Sequence, residues 1–115
     1  MPLLTIQTNL PLSADKSDIL LHALTDLVVR EMNKPLEYVQ VLIEADATLH
    51  FAGSGDASAF VELRALDFAT DQAKPLSAVI CKLLKDHLNI PPERVFINFF
   101  NIPRPLWGWN ATTFA

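Results

Sequence analysis

The chain has 115 residues, a length suited to one compact domain, and half of them are hydrophobic while 19% are charged, which is a globular rather than a disordered composition. Thirteen acidic residues against nine basic ones leave a net charge of −4 with the cations scattered, which excludes the basic stripe that a nucleic-acid partner requires. No apolar stretch approaches a membrane span and no charged leader precedes an apolar run, so no membrane partner is expected and the expected location is the cytoplasm.

Met1-Pro2 opens the chain. Loss of Met1 would turn the Pro2 nitrogen from an amide into a basic secondary amine, although a proline at a chain start means little alone. Leu3 to Thr8 reads as a strand. Leu20, Ala23, Leu24, Leu27, Val28 and Met32 recur at spacings of three and four, which places them on one helix face. Ser17 or Asp18 can cap that helix, and Pro35 ends it because the residue before a proline avoids the α region. Val39, Val41 and Ile43 alternate as a strand. Thr48 to Ser54 is compatible with a short extra strand, and Phe60 to Phe68 reads as another. A second apolar stripe follows at Leu76, Val79, Ile80, Leu83, Leu84 and Leu88. Its helix starts at Pro75 in a first turn, or at the competing caps Thr70 and Asp71, and stops at Pro91-Pro92. Cys81 lies on the apolar side, as a core thiol would. Val95, Ile97 and Phe99 then alternate, and Trp107 to Asn110 allows a last short strand.

The two helical stripes pair residue by residue at an offset of 56, as do Pro35 to Val41 and Pro91 to Ile97. A single domain, residues 1–115, is therefore expected to contain a pseudo-repeat of 1–56 and 57–115. Each half reads strand, helix, strand, which implies a right-handed crossover and parallel pairing. The expected fold class is α/β (α+β): a tandem βαβ repeat forming a ferredoxin-like four-stranded sheet with two helices on one face. The other face would carry Tyr38, Gln40 and Leu42 from one strand and Phe96, Asn98 and Phe100 from another. That is too apolar for water, and no third helix remains to cover it. A second copy of the chain is the simplest cover, so a homo-oligomer is expected.

Met1-Pro2, Thr8-Asn9-Leu10-Pro11, Lys34-Pro35 with Tyr38, Phe51-Ala52-Gly53-Ser54, Arg94-Val95-Phe96-Ile97-Asn98 and the ending Gly108-Trp109-Asn110-Ala111-Thr112-Thr113-Phe114-Ala115 together resemble the macrophage migration inhibitory factor family of the tautomerase superfamily. The resemblance spans the whole chain. It implies the tautomerase fold, a homotrimer with active sites between subunits, and keto–enol tautomerisation of phenylpyruvate-type aromatic 2-keto acids without a cofactor. Pro2 would be the general base. A free α-amino group titrates at roughly 7.7–8.0, and apolar walls with a neighbouring cation lower that value. By position, Lys34 would hold the substrate carboxylate and the backbone N–H of Leu66 would add a second contact. Asn98 from a neighbouring subunit would donate a hydrogen bond. Tyr38 and Trp109 would wall the pocket, and Phe114 would close it.

The chain departs from the family's pattern in places. Phe96 stands where the family has a site tyrosine, which removes a hydroxyl donor. Ser58 and Val61 replace a Cys-x-x-Cys pair, so thiol redox chemistry is not expected. Trp107 replaces a small aliphatic residue at the pocket mouth, and Arg104 offers a possible second contact for an anion. His22, His50 and His87 lack metal-ligand spacing. The alternative function is a cytokine-like signalling or binding protein with a vestigial or ligand-binding pocket, secreted without a signal peptide. Hydration or dehalogenation is a weaker third option, since Arg104 is the sole candidate partner for it.

Overall fold

A computed structural model describes residues 1–115. Four strands form one sheet: β1 (Leu3–Thr8), β2 (Gln40–Glu44), β3 (Ala59–Ala65) and β4 (Val95–Asn101), in the order β2-β1-β3-β4. β1 pairs parallel with β2, and β3 pairs parallel with β4. The two central strands run antiparallel. Helices α1 (Ala14–Met32) and α2 (Ala73–Leu88) supply the crossovers of the two βαβ units. This is the expected mixed fold with a duplicated unit. A hairpin of β5 (Gly108–Trp109) and β6 (Thr112–Thr113) completes the tail. No helix is long and apolar enough to cross a membrane.

The core lies between the helices and one sheet face. Leu20, Leu24, Leu27 and Val28 of α1 and Leu76, Ile80 and Leu84 of α2 are buried against Leu4, Ile6, Val61 and Leu63. Burying one such side chain contributes roughly 1.5–3 kcal/mol, so this cluster holds the sheet to its helices. On β3 the period of two is clean: Ala59, Val61, Leu63 and Ala65 are buried, while Phe60, Glu62 and Arg64 point to the other face. Cys81 sits half-buried on α2.

The open face is more polar than its edge strands alone suggest. Its edge strands do supply Leu42, Phe96 and Phe100, but the central strands place Thr5, Gln7, Glu62 and Arg64 between them. Arg64 bonds Glu62 at 3.2 Å and lies 4.4 Å from the centre of the Phe100 ring. With Leu3 and Phe60 on the central strands and Gln40, Glu44 and Asn98 on the edge strands, the face mixes apolar and polar side chains throughout.

The boundaries show where local chemistry won. Ser13, not Ser17 or Asp18, caps α1: its Oγ accepts from the N–H of Lys16 at 3.1 Å. One polar, largely exposed turn precedes the apolar stripe, and the stripe does not reveal it. Both helices end on an asparagine in the left-handed region, Asn33 and Asn89, and a proline follows two residues later. A 3-10 turn, Thr70–Gln72, leads into α2, where Gln72 Oε1 accepts from the N–H of Ala69 at 2.9 Å. Pro75 falls in the first turn of that helix. β3 stops at Ala65 rather than Phe68, because Asp67 takes a φ of 52° and turns the chain.

Thr48 to Ser54 is not a strand. Ala52 and Gly53 both take positive φ, and only Phe51 and Ser54 bridge. Two side chains shape this connection. Asn9 Nδ2 donates to the carbonyls of Leu49, Gly55 and Asp56, and Asn9 Oδ1 accepts from the N–H of Ser58. Arg94 donates to the carbonyls of Ala57, Phe51, Ser54 and Asp56 at 2.9–3.2 Å.

Candidate functional site

The N-terminus lies at one corner of the sheet. Pro2 is buried, and its carbonyl accepts from the N–H of Gln40 at 3.1 Å, which extends the β1–β2 pairing by one step. β1 and β3 are antiparallel with Leu3 opposite Arg64, so the start of β1 meets the end of β3, where Leu66 is buried. Lys34 arrives from the end of α1, directly after Asn33 turns the chain.

Three aromatic side chains wall this corner. Tyr38, in the turn before β2, meets Trp109 edge-on at 5.5 Å and Phe114 edge-on at 6.0 Å. Trp109 and Phe114 stack at 5.5 Å. The β5–β6 hairpin aims Trp109: Asn110 and Ala111 form its two-residue turn, both with positive φ, the geometry that suits strand twist. The N–H of Phe114 donates to the carbonyl of Trp107 at 3.1 Å and returns the tail to the same place. A cleft of about 260 Å³ results, lined by Met1, Glu37, Tyr38, Gln40, Trp107 and the tail residues Gly108, Trp109 and Phe114.

The electrostatics favour a neutral amine here. In the full chain the terminal amine belongs to Met1. Partial burial, then the charges of Lys34 and Arg104, hold it below the ordinary α-amino range, while Asp67 acts in the opposite direction. Loss of Met1 would move the amine one residue inward, onto the buried Pro2. Arg104 is not free to take an anion, since Nε and Nη2 both donate to Asp67 Oδ2, at 3.2 and 2.8 Å. No group of three His, Cys, Asp or Glu side chains is placed to hold a metal.

Within one chain, then, Pro2, Lys34, Leu66, Tyr38, Trp109 and Phe114 gather at one corner. Phe96 and Asn98 do not. Phe96 lies across from Phe60 and so from Gln7, at the far end of β1. That is roughly 17 Å along the strands and roughly 10 Å across them from Pro2. Phe96 is 65% exposed and touches Phe51 at 4.7 Å between ring centres. The two rings join Leu49, His50, Ala52 and Phe60 around a second, apolar cleft of about 410 Å³. Asn98 stands exposed on the open face between these corners.

Sequence reasoning missed Asp67 and did not place Glu37 and Gln40 at the cleft. Glu37 and Gln40 flank Tyr38, and that neighbourhood was a usable signal. Asp67 had none, because its partner Arg104 is 37 residues away.

A family model described as "Macrophage migration inhibitory factor (MIF)" matches residues 1–115. The chain is 34% identical over 116 residues to macrophage migration inhibitory factor of Meriones unguiculatus, covering all of both proteins. It is 35% identical over 115 residues to a macrophage migration inhibitory factor homolog of Trichinella spiralis, covering 99% of this chain and 100% of that one. Among solved structures it is similar to the homologue from Prochlorococcus marinus, with a TM-score of 0.91 and 29% identity over 98% of this chain and 99% of that one. It is also similar to the Trichinella spiralis factor, with a TM-score of 0.87 and 34% identity over 97% of this chain and 99% of that one.

Proposed function

The chain belongs to the macrophage migration inhibitory factor family, whose members include tautomerases and cytokines, and from that premise we propose that it is a keto–enol tautomerase with Pro2 as its general base. The carrying observation is the corner itself: buried Pro2 next to a Met1 amine held below its ordinary range, with Lys34 nearby, beside a cleft walled by Tyr38, Trp109 and Phe114. After loss of Met1, the Pro2 nitrogen takes a proton from the carbon beside a 2-keto acid's carbonyl. The electron pair moves onto the carbonyl oxygen, and the proton returned to that oxygen gives the enol. The reverse path carries the hydroxyl proton to carbon. A base works best with a pKa near ambient pH, and the burial and cations that lower the Met1 amine act in the same direction on a nitrogen at Pro2. Lys34 holds the carboxylate as a point charge and the N–H of Leu66 adds a second contact. An aromatic substrate fits the aromatic walls, which is the reason for preferring phenylpyruvate-type acids.

The site is completed by other copies of the chain. Members of the family are oligomeric, and a homotrimer brings Phe96 and Asn98 of one copy to the Pro2 corner of another. Their exposure and distance from Pro2 within a single chain support this arrangement. The protein acts in the cytoplasm in this reading.

An enol-absorbance assay tests the base, with intact mass confirming that Met1 is absent. Pro2→Gly is expected to lose about 10²- to 10⁴-fold in kcat, the range for removal of a positioned base. Equal activity in the two proteins, or none in either, rejects it. The cytokine roles within the family support a second reading, a signalling or binding protein. Specific cell-surface binding that survives in Pro2→Gly would favour that reading.

A further inference from the structure

The chain leaving β4 makes a contact that neither the core nor the proton transfer requires. Arg104 opens a short 3-10 turn, Arg104–Leu106. Besides its two bonds to Asp67, it donates from Nη1 to the carbonyl oxygen of Phe114 at 3.3 Å. Asp67 takes the left-handed region, with φ at 52°, a conformation that aspartate tolerates better than most residues and that aims its side chain out of the turn after β3 toward Arg104. Both charged side chains are more than half exposed, and ion pairs in that setting add little to stability. The contact instead joins three pieces of chain: the turn after β3, the turn after β4 and the C-terminal tail. The tail carries Phe114, which lines the same cleft as Met1.

We propose that Arg104 is a positioning residue of this site: pinned between Asp67 and the Phe114 carbonyl, it holds the C-terminal aromatic wall against the N-terminus and sets a charge pair beside the amine. The inference rests on the tautomerase reading for its reaction, but not for its geometry. The charged and titratable groups around the N-terminus are Lys34 from the end of α1, Glu37 and Tyr38 from the turn before β2, Asp67 and Arg104. Asp67 already occupies the guanidinium, so the substrate's carboxylate is left to Lys34. The signs of the pair are opposite. Arg104 disfavours a protonated amine and Asp67 favours it. Loss of the arginine therefore raises the amine's pKa, and loss of the aspartate lowers it.

The test uses the protein after loss of Met1, confirmed by intact mass, and the variants Arg104→Met, Arg104→Lys and Asp67→Asn. The terminal nitrogen is titrated by the pH dependence of its competitive acetylation, read by mass spectrometry, beside kcat and KM. The amine is expected to titrate higher in Arg104→Met, lower in Asp67→Asn and near the parent in Arg104→Lys. Both Arg104 variants are expected to raise KM by about two- to tenfold, the worth of one hydrogen bond. Shifts in the same direction for Arg104→Met and Asp67→Asn, no shift in either, or an unchanged KM in Arg104→Met would overturn the proposal. Opposite shifts in a protein inactive in every form would reject the tautomerase reading and leave the charge pair standing.

Discussion

The two halves of the chain place different chemistry at matching backbone positions. In the first half these positions hold Pro2, Lys34 and Tyr38. At the 56-residue offset the second half holds Ser58, Ile90 and Arg94. Ser58 and Ile90 are fully buried, and the Ser58 hydroxyl has no hydrogen-bond partner. Arg94 is committed to four backbone carbonyls. One corner thus ends in a chain terminus with charge and aromatic rings around it. The other is closed by the connection that Asn9 and Arg94 shape. The two βαβ units give two corresponding corners, and only the one at the chain terminus can offer an α-amine.

Three substitutions probe that division. Phe96→Asp has the largest expected effect. In the proposed trimer it buries an unpaired carboxylate, a cost of about 3–5 kcal/mol, so association should weaken by about a hundredfold or more. Sedimentation at decreasing concentration would show this, with activity falling alongside. An intact assembly of full activity would mean that the two corners do not meet. Arg94→Ala should act on the closed corner alone and destabilise the fold by about 2–3 kcal/mol, seen as a lower midpoint in urea with the slope unchanged. Lys34→Ala should act on the open corner alone. It should raise KM by about tenfold, as loss of a charge-assisted hydrogen bond does, and leave the urea midpoint in place. Exchange of these last two outcomes would reverse the assignment of structural and functional corners.

Much of this was legible in the residues. β1 ran from Leu3 to Thr8 as read, the two apolar stripes fell on the buried faces of α1 and α2, and the offset of 56 recurs in Asn33 and Asn89. Periodicity reports burial, and it failed where burial was not the deciding force. The polar first turn of α1 hid the Ser13 cap, and the turn at Ala52-Gly53 was masked by neighbours with strand preference. The polar side chains that the central strands add to the open face were missed because only its edge strands were weighed. Of the site, the aromatic wall and Lys34 were readable from the family pattern. The Arg104–Asp67 contact was not, because it depends on two turns meeting in space.

Cys81 has a practical consequence. Burial raises its thiol pKa, partly offset by a hydrogen bond with Ser77, so little thiolate forms at neutral pH. A thiol that is quiet in the packed state responds when its surroundings loosen. Alkylation of Cys81 is therefore expected to be slow in the packed state and to quicken as α2 loosens. The chain thus carries a native probe of local breathing on α2, away from the helix that leads to Lys34.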